Sequence, residues 1–147
     1  MARFIYNAPD FTFDELCTTA TGLPNTPTKD AKERLRYLAV NYLQPLRDWL
    51  GESVIIDSGY RSKAVNDAVG GSPTSYHLRG MAVDIRCRDI MDVCRKAHFL
   101  QTRFVREGYG YIELFVAHRR QNDTWWIHLA ASEDHNDNVL KTRFVTY

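Results

Sequence analysis

The segment MAVDIR, at residues 81–86, constrains the fold more than any other part of the sequence. Its alternation predicts a β-strand, because side chains two residues apart in a strand share a face. One face would carry Met81, Val83 and Ile85, and the other would carry Ala82, Asp84 and Arg86. A carboxylate in a buried strand costs free energy unless it is paired or binds a metal. The segment therefore predicts a sheet strand in which Asp84 needs a specific partner.

The other elements follow from periodicity, caps and turn residues. Near the start of the chain, Thr12 is a candidate N-cap for a short helical turn. Apolar residues at helical spacing predict a helix over residues 29–50, kinked or restarted at Pro45 and closed by Gly51. Further helices are predicted at residues 63–69 and 90–107, and strands at residues 54–56, 111–117 and 125–130. The last two strands would form a hairpin, and the order of elements favours an α+β fold with a small, mainly antiparallel sheet.

Length and composition predict one globular domain over residues 1–147. A net charge of +1, with acids and bases mixed along the chain, does not indicate a basic surface built for nucleic acid. The three cysteines are odd in number and lack CxxC spacing, which argues against disulfides and thiolate metal sites. No apolar run reaches the roughly 18 residues of a membrane span, and no signal peptide is recognisable. We therefore expect a monomer, made in the cytoplasm, that neither binds nucleic acid nor inserts into a membrane.

Two histidines accompany Asp84 as candidate metal ligands. His77 follows a loop rich in glycine, proline and serine, and His128 lies in the aromatic strand at residues 125–130. Zinc accepts imidazole nitrogen and carboxylate oxygen, and three protein ligands leave a fourth position open. A histidine in a strand is, however, more often a core or surface residue, and Asp84 has several arginines nearby in the sequence: Arg79, Arg86 and Arg88. Spacing alone therefore leaves both a metal site and an ordinary ion pair open.

Three sequence patterns surround these residues. SGYRS occupies residues 58–62, and WIH occupies residues 126–128. Between them the pattern SxHxxGxAxD is satisfied by Ser75, His77, Gly80, Ala82 and Asp84. In these patterns the sequence resembles the peptidase M15 family, which includes zinc D-alanyl-D-alanine carboxypeptidases, related dipeptidases and phage endolysins. The resemblance extends over residues 11–130.

The resemblance implies a Zn²⁺ site with three ligands, His77, Asp84 and His128. Arg61, in the SGYRS pattern, would bind or polarise the substrate, since its fork of donors suits a carboxylate or a carbonyl. Ser75 would contact substrate or support a ligand, and Trp126 would line the cleft beside the last histidine. The implied fold is M15/hedgehog-like, with helices packed on one face of the sheet and the zinc cleft on the other.

The general base is not specified by these patterns. Many family members carry a carboxylate three residues before the last histidine, where this chain has Trp125. Glu113 is the first alternative, because a hairpin symmetric about residues 120 and 121 would place it opposite His128. A slip of one residue would turn Glu113 to the other face. Asp123, in the hairpin turn, is the second alternative.

The resemblance implies hydrolysis of a peptide bond in peptidoglycan stem peptides, as a D-Ala-D-Ala carboxypeptidase or an endolysin-type endopeptidase. Its catalytic groups would be Arg61 and either Glu113 or Asp123. Without a signal peptide, such an enzyme would act on the bacterial cell wall after release, as phage lysis enzymes do. Two alternatives stay open, namely a zinc-binding module of the same fold that binds cell wall or a protein partner without catalysis, and a metal-free structural protein.

Overall fold

The structure, a computed structural model, describes residues 4–107, 110–133 and 138–147. The α-helices within these ranges are α1 (Phe13–Leu16), α2 (Lys29–Leu38), α3 (Gln44–Leu50), α4 (Lys63–Ala68) and α5 (Ile90–Glu107). The strands are β1 (Phe4–Ile5), β2 (Ala8–Thr12), β3 (Ile56–Ser58), β4 (Ala82–Cys87), β5 (Tyr111–Arg119), β6 (Thr124–Ser132) and β7 (Val139–Thr146). None of these helices is both long enough and apolar enough to cross a membrane. His135, whose acidic surroundings indicate a solvated turn, lies outside the described residues.

The larger sheet has the strand order β3-β4-β6-β5-β7. Its neighbouring strands are antiparallel except for β5 and β7, which run parallel. Strands β1 and β2 pair separately as a small antiparallel ribbon. The fold is therefore α+β with a mainly antiparallel sheet, as the sequence predicts.

The helix boundaries follow the caps that the sequence contains. The hydroxyl of Thr12 accepts a hydrogen bond from the backbone N–H of Glu15, which starts α1. Gly51 ends α3 in the left-handed region, with φ of 68°. Pro45 lies in the first turn of α3, directly after a π-helical segment at Ala39–Leu43, so the helical hydrogen-bond pattern changes at the residue that lacks an N–H. The predicted helix over residues 29–50 is therefore two α-helices joined by this segment.

Two strands depart from the sequence prediction. The predicted strand at residues 54–56 is displaced, because pairing with β4 occurs at β3, residues Ile56–Ser58. Of the apolar run at residues 54–56, Val54 and Ile56 are buried and Ile55 is exposed, and only Ile56 lies in the paired strand. Strand β7 is not predicted from the sequence, because it also lies at an edge and most of its residues are exposed.

The two faces of the sheet differ in chemistry. One face contacts α2 and α5 and carries the apolar side chains of β4, β5 and β6, namely Val83, Ile85, Ile112, Leu114, Ile127 and Leu129. Burial of each such side chain stabilises the fold by about 1.5–3 kcal/mol. The opposite face carries Asp84, Glu113 and His128. The helices therefore cover one face and leave the polar residues on the other, as predicted.

Strand pairing aligns five residues in one row across the polar face, which are Ser58, Asp84, His128, Phe115 and Arg143. Neighbouring residues in such a row lie on strands about 4.8 Å apart. The row sets the lateral positions of the site residues described below.

The register of the β5–β6 hairpin corrects one prediction. Phe115, not Glu113, lies opposite His128, and Glu113 pairs with Ala130. The turn consists of a short 3₁₀ segment, Arg120–Asn122, and a left-handed Asp123 with φ of 52°, so the hairpin is centred one residue later than expected. The register is displaced by two residues, and an even displacement keeps Glu113 on the face of His128.

A buried ion pair anchors α5 to β4. The ammonium of Lys96 lies 2.9 Å from Asp92 and donates a hydrogen bond to the carbonyl of Arg86 at 3.0 Å. The backbone N–H of Arg88 and the guanidinium of Arg95 also donate to Asp92. Burial by itself raises the pKa of Asp92, but these hydrogen bonds outweigh it and lower the pKa to about 2. Asp92 is therefore an anion that is held by the buried Lys96 and by donors from the more exposed Arg88 and Arg95.

We expect Lys96→Met to destabilise the protein by about 3 kcal/mol, since removal of one partner leaves a buried charge undercompensated. Lys63→Met is the matched control, because Lys63 and Asp67 form the same i,i+4 pair with side chains that are 86% and 58% exposed, against 6% and 2% for Lys96 and Asp92. Urea unfolding of both variants measures the difference. Equal midpoints for the two variants would show that the buried pair has no special role in stability.

Candidate metal centre

His77 is positioned by a short 3₁₀ turn, Tyr76–Arg79, between the preceding loop and β4. The hydroxyl of Ser75 accepts a hydrogen bond from the backbone N–H of His77 at 3.2 Å and so caps the turn. Gly80 ends the turn with φ of 72°, and a Cβ at this position would lie 2.4 Å from the carbonyl oxygen of Ala31. Glycine is required there, because both the backbone conformation and the close approach exclude a side chain.

The ring of His77 is oriented by the backbone. Its Nδ1 lies 2.7 Å from the carbonyl oxygen of Gly59. A carbonyl only accepts, so Nδ1 donates the hydrogen bond, and Nε2 is the ring nitrogen that could bind a metal. Nε2 lies 3.3 Å from Oδ1 of Asp84. The buried His77 therefore directs Nε2, the ring nitrogen not held by the backbone, toward Asp84.

Asp84 and His128 complete the group from adjacent paired residues of β4 and β6. Oδ1 of Asp84 lies 3.4 Å from Nδ1 of His128. One ligand atom from each of His77, Asp84 and His128 lies within 4.8 Å of the others. Zinc ligands at about 2.0–2.1 Å in a tetrahedron are separated from one another by about 3.3 Å. The distances from Asp84 to the two histidines match this separation, so the donor set fits a divalent cation.

The electrostatics of the group favour a positive charge at its centre. Burial by itself raises the pKa of Asp84, but His77 and His128 hold that pKa well below its usual range. Burial by itself lowers the pKa of His128, but Asp84 and Glu113 raise it to about 9. Because histidine binds a metal only through an unprotonated nitrogen, a metal cation would take the place of that proton.

Glu113 lies on the same face, beside His128. Its Oε1 is 3.0 Å from Nε2 of His128, and its Oε2 accepts a hydrogen bond from the hydroxyl of Tyr111. Burial by itself raises the pKa of Glu113, but the hydrogen bonds from His128 and Tyr111 lower it below its usual value. Glu113 is therefore an anion that orients His128, with Nε2 toward Glu113 and Nδ1 toward Asp84.

Arg61 is held against the group from the segment before α4. Its Nη2 lies 3.4 Å from Oδ2 of Asp84, and its Nε donates to the hydroxyl of Ser58 at 3.0 Å. Its Nη1 donates to the side chain of the buried Asn66 at 3.2 Å. These contacts fix the guanidinium and leave two of its five N–H groups for another acceptor.

A cavity of about 1150 Å³ opens over the group. Ser75 and Trp126 line it, together with Arg61 and Glu113, so the structure brings these predicted residues to one space. Trp126 stacks on Tyr147, with ring centroids 5.7 Å apart. Trp125 lies on the opposite face and packs against the core.

Asp123 does not reach this cavity. Its carboxylate accepts hydrogen bonds from Nε2 of His118 at 2.7 Å and from the indole of Trp125 at 3.1 Å, both at the far end of the hairpin. Its side chain is 81% exposed. Alternation along β6 places Trp125 on the helix-covered face, so Asp123 is directed away from His128. In this structure Glu113 lies beside His128, whereas Asp123 lies apart from it at the hairpin turn.

Three supporting contacts are absent from the sequence interpretation. They are the hydrogen bonds between the Gly59 carbonyl and His77, between Asn66 and Arg61, and between Tyr111 and Glu113. Tyr111 precedes Glu113 by two residues in a strand, and this spacing could have identified it as a neighbour on the same face. The other two depend on loop conformation, for which the sequence contains no periodic signal.

Comparison with protein families assigns the chain to a class. The Peptidase M15 family matches residues 9–129, which is more than half of the chain. The chain belongs to the peptidase M15 family, and its class is that of the metallopeptidases. Comparison with curated proteins gives no significant match.

Proposed function

We propose that the protein is a zinc-dependent peptidase that hydrolyses a peptide bond in peptidoglycan stem peptides. The observation that carries this proposal is the convergence of His77, Asp84 and His128 beneath a large open cavity, in a chain of the peptidase M15 family. The bond would involve a D-amino acid, cut by a D-Ala-D-Ala carboxypeptidase or an endolysin-type endopeptidase activity.

The donor set supports zinc as the metal. Two imidazole nitrogens and one carboxylate oxygen form a three-ligand set of the kind found in catalytic zinc sites, which keep one position open. A zinc ion held here would act as a Lewis acid that polarises a carbonyl and lowers the pKa of water. The Gly59 carbonyl and Glu113 would keep the two histidines in the orientation that binding requires.

Glu113 is the proposed base. It is ionised at neutral pH and lines the cavity next to the metal group. A carboxylate has about four acceptor sites, so its contacts with His128 and Tyr111 leave capacity for a further proton donor. Glu113 would accept a proton from the attacking water and deliver it to the leaving amine.

Arg61, Ser75 and Trp126 are the proposed substrate contacts. The two remaining N–H groups of Arg61 suit a carbonyl or carboxylate oxygen of the substrate. Ser75 has a hydroxyl on the cavity wall, and Trp126 offers an aromatic surface. Peptidoglycan lies outside the cytoplasm, so we also propose that the protein acts on the bacterial cell wall after release, as a monomer.

One observation favours a second candidate function, a zinc-binding module without catalysis. Trp125 stands three residues before His128, where many relatives carry a carboxylate. Such a module would hold zinc and bind cell wall or a protein partner, and would release no product.

Mass-resolved digestion of purified peptidoglycan tests the proposal. We expect the zinc-loaded protein to release stem-peptide fragments, and expect dialysis against a chelator to abolish release, because the metal supplies the Lewis acid. Added zinc should restore release. Circular dichroism of the metal-free sample controls for unfolding.

Two outcomes would contradict the proposal. Zinc binding without release from any peptidoglycan chemotype would favour the binding module. Release that survives complete metal removal would exclude zinc as the catalytic metal.

A further inference from the structure

Strand β7 forms one wall of the cavity. It occupies Val139–Thr146, beyond the residues that the family matches, and pairs in parallel with β5. Arg143, Val145 and Tyr147 line the cavity from this side. The family match therefore assigns no role to this wall, although it faces the same space as the metal group.

Arg143 lies in the row of the metal group. The row passes from Asp84 through His128 and Phe115 to Arg143. Two strand spacings separate Arg143 from His128, which is about 10 Å across the sheet. An extended peptide advances about 3.3 Å per residue, so this distance corresponds to about three residues of substrate.

The intervening surface suits a peptide that runs across the strands. Phe115 stacks on the ring of His128, with centroids 5.4 Å apart, and forms an apolar floor between the metal group and Arg143. Ala117 and Val145 extend this floor. A peptide lying on apolar residues displaces water from them, which strengthens any charge interaction at the far end.

The carboxylates of the cavity are already engaged. Asp57 is bound by Arg86, Asp84 contacts Arg61 and both histidines, and Glu113 contacts His128 and Tyr111. The guanidinium of Arg119, which also lines the cavity, lies over the ring of Trp126 at 5.4 Å. Among the described residues, no carboxylate lies within ion-pair distance of Arg143.

We propose that Arg143 is a specificity-determining residue that binds a carboxylate of the substrate about three residues from the bond that is cut. The preferred substrate is then an acidic peptide, since the planar guanidinium matches a carboxylate with two parallel hydrogen bonds. The inference rests on the proposed peptidase function, and it names the substrate class of the same site.

The test compares two peptides, a stem peptide with free side carboxylates and the same peptide with these carboxylates amidated. Calorimetry measures binding of each to the zinc-loaded protein, with Glu113→Gln introduced to slow turnover. We expect the acidic peptide to bind about tenfold more tightly than its amide, and Arg143→Gln to remove this difference. Arg143→Lys should keep part of it, because the charge remains without the fork.

Arg120→Gln is the matched control, because Arg120 is an exposed arginine in the hairpin turn that does not line the cavity. It should keep the full preference for the acidic peptide. In hydrolysis assays, Arg143→Gln should raise KM for the acidic peptide and leave kcat nearly unchanged, as expected for a contact remote from the reacting bond.

The outcomes separate this inference from the proposed function. Equal affinity for the two peptides, or an unchanged preference in Arg143→Gln, overturns the role of Arg143 even if the enzyme cleaves peptidoglycan. A preference that depends on Arg143 in a protein that cleaves nothing supports the acidic ligand and rejects the peptidase. Failure of both peptides to bind overturns the inference.

Discussion

His128→Ala is expected to lose zinc and with it all release of peptidoglycan fragments. His128 supplies the only donor from β6 in the group His77, Asp84 and His128 among the described residues. Loss of a partner that merely supports a ligand costs about 10–100-fold in metal affinity, so loss of the ligand itself should cost more than about 100-fold. Metal analysis of protein purified without added zinc, together with the digestion assay, measures both effects.

His118→Ala is the control for this variant. His118 belongs to the same hairpin, but it stacks on Trp125 and pairs with Asp123 on the opposite face. We expect it to retain zinc and activity at wild-type levels. Full zinc content in His128→Ala would mean that the metal lies elsewhere, and loss of zinc in His118→Ala would point to a general loss of structure.

The candidate ligands could be predicted because the sequence patterns that carry them are local. Alternation along residues 81–86 places a carboxylate in an otherwise largely apolar strand, and the resemblance of the patterns around His77 and His128 to the family implies its partners. The cap at Thr12 and the left-handed Gly51 are local too, because each depends on a few adjacent residues. Such features can be predicted without knowing how distant parts of the chain pack together.

The pairing of the strands could not be predicted to the same degree. The β5–β6 register depends on the conformation of a four-residue turn, and the left-handed Asp123 displaced it by two residues from the prediction. The predicted face of Glu113 is nevertheless correct, because only an odd displacement of the register would turn its side chain to the other face. Glu113 also contacts its predicted partner His128, but from the diagonal position in the strand pair rather than from directly opposite.

The wall formed by β7 was missed for a different reason. A parallel edge strand with mostly exposed residues has neither an apolar run nor a hairpin turn to indicate it. Its position beside β5 depends on tertiary structure, because it is set by pairing between distant parts of the chain. Nothing in the sequence therefore distinguishes Arg143 from an ordinary surface residue, although it lines the cavity in the fold.

The contacts that support the candidate metal ligands also depend on tertiary structure. His77 depends on a carbonyl from the segment before α4, and His128 depends on a carboxylate from β5. Each ring has one nitrogen fixed by the protein, which frees the other for the metal. The same contact gives Glu113 two separable tasks, orientation of His128 and transfer of a proton, and one substitution can distinguish them.

Glu113→Gln is expected to lower kcat by about 10²–10⁴-fold, because the amide cannot take up the proton, while zinc affinity falls by no more than about tenfold. The amide oxygen still accepts from Nε2 of His128, so the ligand keeps its orientation.

Tyr111→Phe keeps the carboxylate and removes one hydrogen bond to it, and should lower kcat by about tenfold or less. Asp123→Asn should have no effect, because that carboxylate is bound to His118 away from the cavity. Zinc content and kcat are measured for all three variants. If Glu113→Gln retains kcat within tenfold, Glu113 only orients His128 and another group is the base.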